Sequence, residues 1–402
     1  MKTKPSRRDF LKKASAVAAV ASLAPKAVLH GADAPAAAPP PRWRGFNLLE
    51  KFIAARENAP FREEDFAAIA EWGFNFVRLP LSYRCWSDPQ HWREFREPVL
   101  KEIDDAVALG RRYGIHVNLN FHRAPGYSVD ASAPEPFNLW TEAEALDACV
   151  LHWRTFARRY RDVPAAALSF NLLNEPATQS TASDVWVDDA AYARVVRALV
   201  AAIREESPAR PIYADGLVWA RIPVPALAGL DLGQSLHIYD PMPVTHWLAS
   251  WVKGADQWPR PTWPLRLPAE AIAAERAQAA AFRQVFRDNP IAVRGIDRVD
   301  FAAEWNQARL ERQLFAPWKE LAAMGVPVHI GEFGAFNQTP HPVVLGWMRD
   351  VVALCARAGW GWALWNFRGE FGVLDSGRAD VKYENFRGHQ LDRAMLELLR
   401  AS

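Results

Sequence analysis

Cysteine is scarce: the 402 residues hold only Cys85, Cys149 and Cys355, too few and too scattered for a disulfide framework or a zinc cage. They read as buried thiols, the usual fate of free cysteine. An excess of one charge is also missing, with 48 Lys and Arg against 46 Asp and Glu and a formal net charge of +2. Without a concentrated positive field nothing would hold a phosphate backbone, so DNA and RNA are excluded as partners. No apolar run reaches the ~20 residues of a membrane-spanning helix. No Gly-rich phosphate fingerprint follows the first apolar segment, which weighs against a dinucleotide fold. His-x-His and His-Glu-x-x-His spacings are absent as well, so no metal is expected.

Half of the residues are hydrophobic, and a chain of this length buries most of the surface its unfolded form exposes. Aromatic residues are abundant, with 18 Trp, 21 Phe and 8 Tyr. Most belong in a core; others offer flat faces with a polar tip, suited to the weakly polar faces of sugar rings.

The amino terminus reads Ser6-Arg7-Arg8-Asp9-Phe10-Leu11-Lys12, then a mildly apolar run from Ala14 to Ala24 and a Pro/Ala-rich stretch to Pro41. This resembles a twin-arginine export signal. Small residues at Ala34-Pro35-Ala36 suit cleavage, leaving residues 1–36 as signal and linker and 37–402 as the mature chain. The expected partner is the twin-arginine export machinery, and the expected location is periplasmic or extracellular, with no stable membrane anchor after signal removal.

From Trp43 onward one unit recurs: an amphipathic segment, a glycine, then a short apolar run ending in polar residues. Phe66–Trp72 stops at Gly73 before Phe74-Asn75-Phe76-Val77-Arg78, and Val99–Tyr113 stops at Gly114 before Ile115–His122. Leu310–Met324 ends at Gly325 before Pro327–Glu332, and Val343–Ala358 ends at Gly359 before Gly361–Trp365. Glycine after a helix fits the left-handed C′ position, and the apolar run fits a strand covered on both faces. Arg44–Leu48, Leu168–Asn174, Ile212–Asp215 and Ser235–Tyr239 complete eight strands. Helices between them include Thr141–Tyr160, whose Thr141 and Glu144 have capping-box spacing, and Ala190–Glu206. Eight such units predict an α/β fold, a single-domain (β/α)8 TIM barrel. The connection after strand six, 240–326, is long and rich in Trp and Pro, and reads as an elaborated loop and helix insertion over the strand C-termini.

Chemistry in such a barrel sits at the C-terminal ends of the strands. Strand two ends in Arg78, three in His122, four in Asn174-Glu175-Pro176, six in His237 and Tyr239, seven in Glu332 and eight in Trp365. Two facing carboxylates are what glycoside cleavage needs, one to protonate the leaving oxygen and one to attack the anomeric carbon or activate water. Glu175 is expected to be the acid/base and Glu332 the nucleophile. His329, inside strand seven, reads as a core histidine.

These motifs, in this order, resemble glycoside hydrolase family 5, the cellulase-like family of the retaining β-glycosidase clan: Arg78 in Phe76-Val77-Arg78-Leu79-Pro80, His122 in Phe121-His122-Arg123-Ala124-Pro125, Asn174-Glu175-Pro176, His237-Ile238-Tyr239, Glu332 in Ile330-Gly331-Glu332-Phe333-Gly334, and Trp365. The resemblance implies a retaining double displacement on a β-linked glucan or related β-glycan. It implies that Arg78 and Tyr239 hold Glu332, that Asn174 meets the sugar 2-hydroxyl, that His237 orients Glu175, that His122 binds sugar hydroxyls and that Trp365 floors the central subsite. No cofactor is implied. Arg123 departs from the pattern, since several members carry a second histidine there. Trp247 and Trp251 are possible sugar platforms in the long connection. A β-mannanase, an exo-β-glucosidase and a transglycosylase are alternatives on the same site, and a non-catalytic carbohydrate-binding barrel is the alternative of another class.

Overall fold

The computed structural model describes residues 42–56, 58–129 and 134–402; the export signal read from residues 1–36 lies outside the described residues. Eight parallel strands carry the fold: β1 Arg44–Asn47, β2 Phe76–Ser82, β3 His116–Ala124, β4 Leu168–Asn171, β5 Ile212–Asp215, β6 Gly233–Ile238, β7 Val328–Phe333 and β8 Gly361–Leu364. Each pairs with its sequence neighbours, and β8 pairs with β1, so the sheet closes on itself. Helices α1 Glu63–Glu71, α2 Glu97–Tyr113, α3 Ala143–Arg159, α4 Asp189–Glu206, α5 Ala269–Val285, α6 Pro290–Asp297, α7 Ala316–Ala322, α8 His341–Ala358 and α9 Arg393–Arg400 accompany it. This is the expected (β/α)8 barrel.

The helix ends follow the sequence signals closely. Gly114 after α2 and Gly359 after α8 take φ of 68° and 72°, the left-handed region that glycine enters without a Cβ penalty. Helix α3 departs from its expected start. Its N-cap is Glu142, with no side-chain cap bond, because Glu144 instead accepts from Trp92 Nε1 and Glu142 accepts from the Asn138 backbone N–H. Capping-box spacing was present, but the helix begins at Ala143 and the Glu144 carboxylate is bonded to Trp92.

The barrel floor is aromatic. Trp43 stacks on His116 with ring centroids 3.7 Å apart and lies against Phe76 and Tyr213. His329 packs on Phe76, and burial pulls its pKa down to about 3, so it is the neutral core histidine expected. All three cysteines are buried and free. The connection between β6 and β7 carries α5, α6 and a π-helical turn, Glu311–Phe315, that runs into α7. Two of its tryptophans tie it down: Trp247 donates to the Trp258 carbonyl and Trp263 to Asp350 of α8. Among the described residues no helix is long and apolar enough to cross a membrane.

Candidate active site

Parallel strands all point their C-terminal ends at one rim, so residues more than 250 positions apart in sequence meet there. Arg78, 1% exposed, is the hub. Its Nη1 donates to Glu332 Oε1 at 2.6 Å and to Asn47 Oδ1 at 3.0 Å, its Nη2 to Asn174 Oδ1 at 2.8 Å, and its Nε to Asn171 Oδ1 at 3.0 Å. The planar fork of a guanidinium makes that four-way grip possible. Tyr239 donates its hydroxyl to Glu332 Oε2 at 3.0 Å. Burial, together with Glu332 and Glu175, holds the Tyr239 pKa well above its ordinary value, so it stays a donor.

Glu175 sits beyond the end of β4 on left-handed backbone, φ 50°, uncommon for a residue with a Cβ. Three bonds keep it there. Its N–H donates to Asp215 Oδ2 at 3.0 Å, its carbonyl accepts from Tyr127 Oη at 2.8 Å, and the N–H of Ala177 donates to the same Tyr127 oxygen at 3.0 Å. The turn aims the Glu175 carboxyl at Glu332 and His237. Carboxylate oxygens of both glutamates and a His237 ring nitrogen lie within 4.8 Å of one another, close to the separation of the carboxyl pair in retaining glycosidases.

His237 is sandwiched between acids. Nδ1 lies 2.9 Å from Glu175 Oε1 and 3.7 Å from Glu332 Oε2, and Nε2 lies 3.3 Å from Asp215 Oδ2. Burial opposes a charged ring, but Glu332, Asp215 and Glu175 outweigh it and raise the His237 pKa above its usual value. Gly331 makes room: a Cβ there would stand 2.8 Å from His237 Nε2 and 2.4 Å from Ser235 Oγ. Burial also raises the Glu332 pKa, with Glu175 and Asp215 pushing the same way against His237 and Arg78. The three groups have the spacing of a metal-ligand set, yet Arg78 and Tyr239 already occupy the Glu332 oxygens. The donor set is that of a hydrogen-bonded charge cluster.

A cavity of about 1980 Å³ opens above this cluster, lined by Glu175, Glu332, His122, His237, Tyr239 and Trp365 among others. Arg78 and Asn174 lie behind its wall. His122 is buried, its Nδ1 3.9 Å from Glu332 Oε1 and without a hydrogen bond; burial, then Arg123 and Arg78, keep its pKa well below the ordinary value. It stacks on Trp365, and Phe52 meets both rings edge-on. Arg123, the departure from the family pattern, donates to the Phe52 carbonyl and places its guanidinium 4.4 Å from the Phe52 ring centroid. It holds the β1 loop against this wall. Of the two expected platforms, Trp251, 56% exposed, lines the cavity and Trp247 does not, while Trp258 does.

Several residues escaped the sequence reading. Asn47 and Asp215 end β1 and β5, and the strand-end rule that found Glu332 applies equally to them; Arg78, expected at the end of strand two, lies inside β2, which runs on to Ser82. Asn171 bridges Arg78 to Asp215, its Nδ2 donating to Asp215 Oδ1 at 2.8 Å. Glu50 lines the far end of the cavity, where burial and Asp65 push its pKa up to about 7; no local pattern marks it.

The comparisons agree with this geometry. A family model described as cellulase (glycosyl hydrolase family 5) matches residues 35–370. Endoglucanase C of Acetivibrio thermocellus is 25% identical over 334 residues, spanning 80% of this chain and 88% of that protein. A crystal structure described as a glycoside hydrolase is 34% identical and superposes with a TM-score of 0.77 over 90% of this chain and 99% of that one. Cel5A of Thermotoga maritima, solved with mannotriose, shares the fold at 20% identity, with a TM-score of 0.64 over 89% of this chain and 97% of its own. With the paired carboxylates at the rim of a closed barrel and a family match across most of its length, the chain belongs to the cellulase family, glycosyl hydrolase family 5.

Proposed function

We propose that this enzyme cleaves β-1,4-linked glucan chains by double displacement, with Glu332 as nucleophile and Glu175 as acid/base. The observation that carries the reading is the asymmetry of two close carboxyls. Glu332 has a guanidinium on one oxygen and a phenol on the other, partners that favour its ionised, attacking form. Glu175 has neither and faces the cleft, where its carboxyl delivers a proton to the departing oxygen. After Glu332 bonds to the anomeric carbon, Glu175 takes a proton from water, and the hydroxide attacks the same carbon and releases Glu332. His122 and Trp365 line the cavity, the first with an imidazole edge for sugar hydroxyls and the second with the flat face beneath a sugar ring; Asn174 stays behind the wall, where its Oδ1 braces Arg78.

The choice of glucan rests on two supports. The cavity is about 1980 Å³, roughly twice the upper end of small-molecule pockets at ~1,000 Å³, which suits a chain of several sugars. Endoglucanase C, a relative along most of this chain, has glucan cleavage in its name, and the matching family model is described as cellulase. The test is a panel of cello-, manno-, xylo- and laminari-oligosaccharides with NMR of the first product. Cello-oligosaccharides are cut fastest, the new reducing end is β-configured, and Glu332→Ala abolishes both. Preference for another glycan overturns the substrate; an α-anomer formed first overturns the mechanism. The twin-arginine leader would deliver the folded enzyme outside the cytoplasm, and replacing Arg7 and Arg8 with lysines is expected to retain it inside.

A further inference from the structure

Asp215 takes no part in the expected chemistry, yet it is fully buried and touches both Glu175 and His237. Its Oδ1 accepts from Asn171 Nδ2 at 2.8 Å and its Oδ2 from the Glu175 backbone N–H at 3.0 Å. The same Oδ2 stands 3.3 Å from His237 Nε2 and 3.8 Å from Arg78 Nη2, and its backbone carbonyl accepts from the buried Tyr192 hydroxyl at 2.6 Å. A third carboxylate packed behind two catalytic ones is electrostatically costly, so the fold must use it.

We propose that Asp215 is a positioning residue for the acid/base, holding Glu175 in its left-handed turn and keeping His237 doubly protonated, so that the transferable proton of Glu175 sits on the oxygen facing the substrate. The reasoning follows from the ring. A neutral His237 with its proton on Nε2, beside Asp215, would leave Nδ1 as an acceptor. The Glu175 carboxyl would then donate its proton 2.9 Å sideways to Nδ1, away from the glycosidic oxygen. With protons on both nitrogens, Nδ1 is a donor, Glu175 Oε1 accepts, and the acid's own proton is confined to Oε2. Asp215 supplies the adjacent counter-charge. The groups around the ring are Glu175, Glu332 and Asp215 on the acidic side, and Arg78, His122, His329 and Tyr239 on the other. The three acids prevail, and Asp215 is the one with no role in bond making.

This inference rests on Glu175 being the acid, and the test separates the two. Wild-type turnover of an aryl β-cellobioside, with its dependence on the leaving group, judges the acid assignment without reference to Asp215. Asp215→Asn keeps the shape and an acceptor for the Glu175 N–H but removes the charge. Losing a nearby negative charge lets His237 shed its proton at lower pH, so the basic limb of the kcat/KM profile moves down by about one pH unit or more. The loss at neutral pH is greater for poor leaving groups than for good ones. A profile lowered in height with both limbs in place, and equal losses across leaving groups, would overturn the proposal. A second measurement needs no folded variant at position 215: imidazole ¹⁵N NMR of the wild type, assigned by the signal lost in His237→Gln. His237 is expected to keep both N–H protons at pH 7, and a neutral ring there would also refute it.

Discussion

Replacing Glu175, the proposed proton donor, with glutamine separates the acid from its scaffold. The backbone N–H of residue 175 stays on Asp215 and its carbonyl on Tyr127, and a carboxamide oxygen still accepts from His237, so the turn keeps its shape. What disappears is one transferable proton and one potential negative charge. The carboxyls of Glu175 and Glu332 lie within 4.8 Å, and two ionised groups at that spacing would repel by about 3 kcal/mol at an effective dielectric of about 20. The wild type avoids that repulsion while Glu175 keeps its proton, and the neutral carboxamide matches that state, so thermal stability at neutral pH should be unchanged. Activity falls. A positioned general acid contributes about 10²–10⁴-fold, some 3–5 kcal/mol of barrier at 1.36 kcal/mol per factor of ten. Aryl β-cellobiosides with poor leaving groups should lose about that much kcat/KM. A dinitrophenolate departs without a proton, and its substrate should lose less than about tenfold.

The pH profile gives an independent reading of the same variant. In the wild type, burial and then the neighbouring acids raise the Glu332 pKa, so the acidic limb should lie above the ordinary carboxylate range. Activity is lost as falling pH protonates Glu332. Glu175 is still protonated where Glu332 titrates, so Glu175→Gln should leave the acidic limb near its wild-type position and remove the contribution of Glu175 ionisation to the basic limb. The assay is kcat/KM across a graded series of aryl β-cellobiosides at several pH values, beside thermal unfolding of both proteins. A uniform loss across the series, or a marked drop in Tm, would refute the acid role of Glu175.

Other residues offer sharper structural tests. Arg78→Lys keeps a charge near Glu332 but cannot reach Asn47 and Asn174 together, and each buried acceptor left unpaired costs about 1–3 kcal/mol; the guanidinium chloride midpoint should fall along with kcat. Gly331→Ala puts a methyl 2.4 Å from Ser235 Oγ and 2.8 Å from His237 Nε2, so the ring must shift; kcat should fall more than KM rises, with a stability cost of about 1–3 kcal/mol. Trp251→Ala, at a side chain 56% exposed, should change stability by less than about 0.5 kcal/mol yet raise KM for long cello-oligosaccharides and not for a short aryl cellobioside. Equal KM changes on both substrates would make Trp251 a packing residue.

The chain's local chemistry determined its strands, its helices and their alternation, because apolar runs, helix-stopping glycines and amphipathic spacing act over a few residues. It also determined most of the rim, since a strand's last residues need only be read from where the apolar run stops. Side-chain partnerships were decided elsewhere. Asn47 and Asp215 end strands too, but Asn and Asp are common after any strand, and only the pairing of β5 with β6 brings Asp215 within 3.3 Å of His237. Thr141 and Glu144 had the right spacing for a capping box, and Trp92, 52 positions away from Glu144, took the carboxylate instead. The tryptophans of the long connection look alike in sequence; whether one anchors the loop, like Trp247, or faces the cleft, like Trp251, depends on which carbonyls and rings the folded body sets within reach. Contacts between residues on different strands carry no local signature, whether 40 positions apart as for Glu175 and Asp215 or 254 as for Arg78 and Glu332, and the charge balance around Glu175, Glu332 and His237 is made of such contacts.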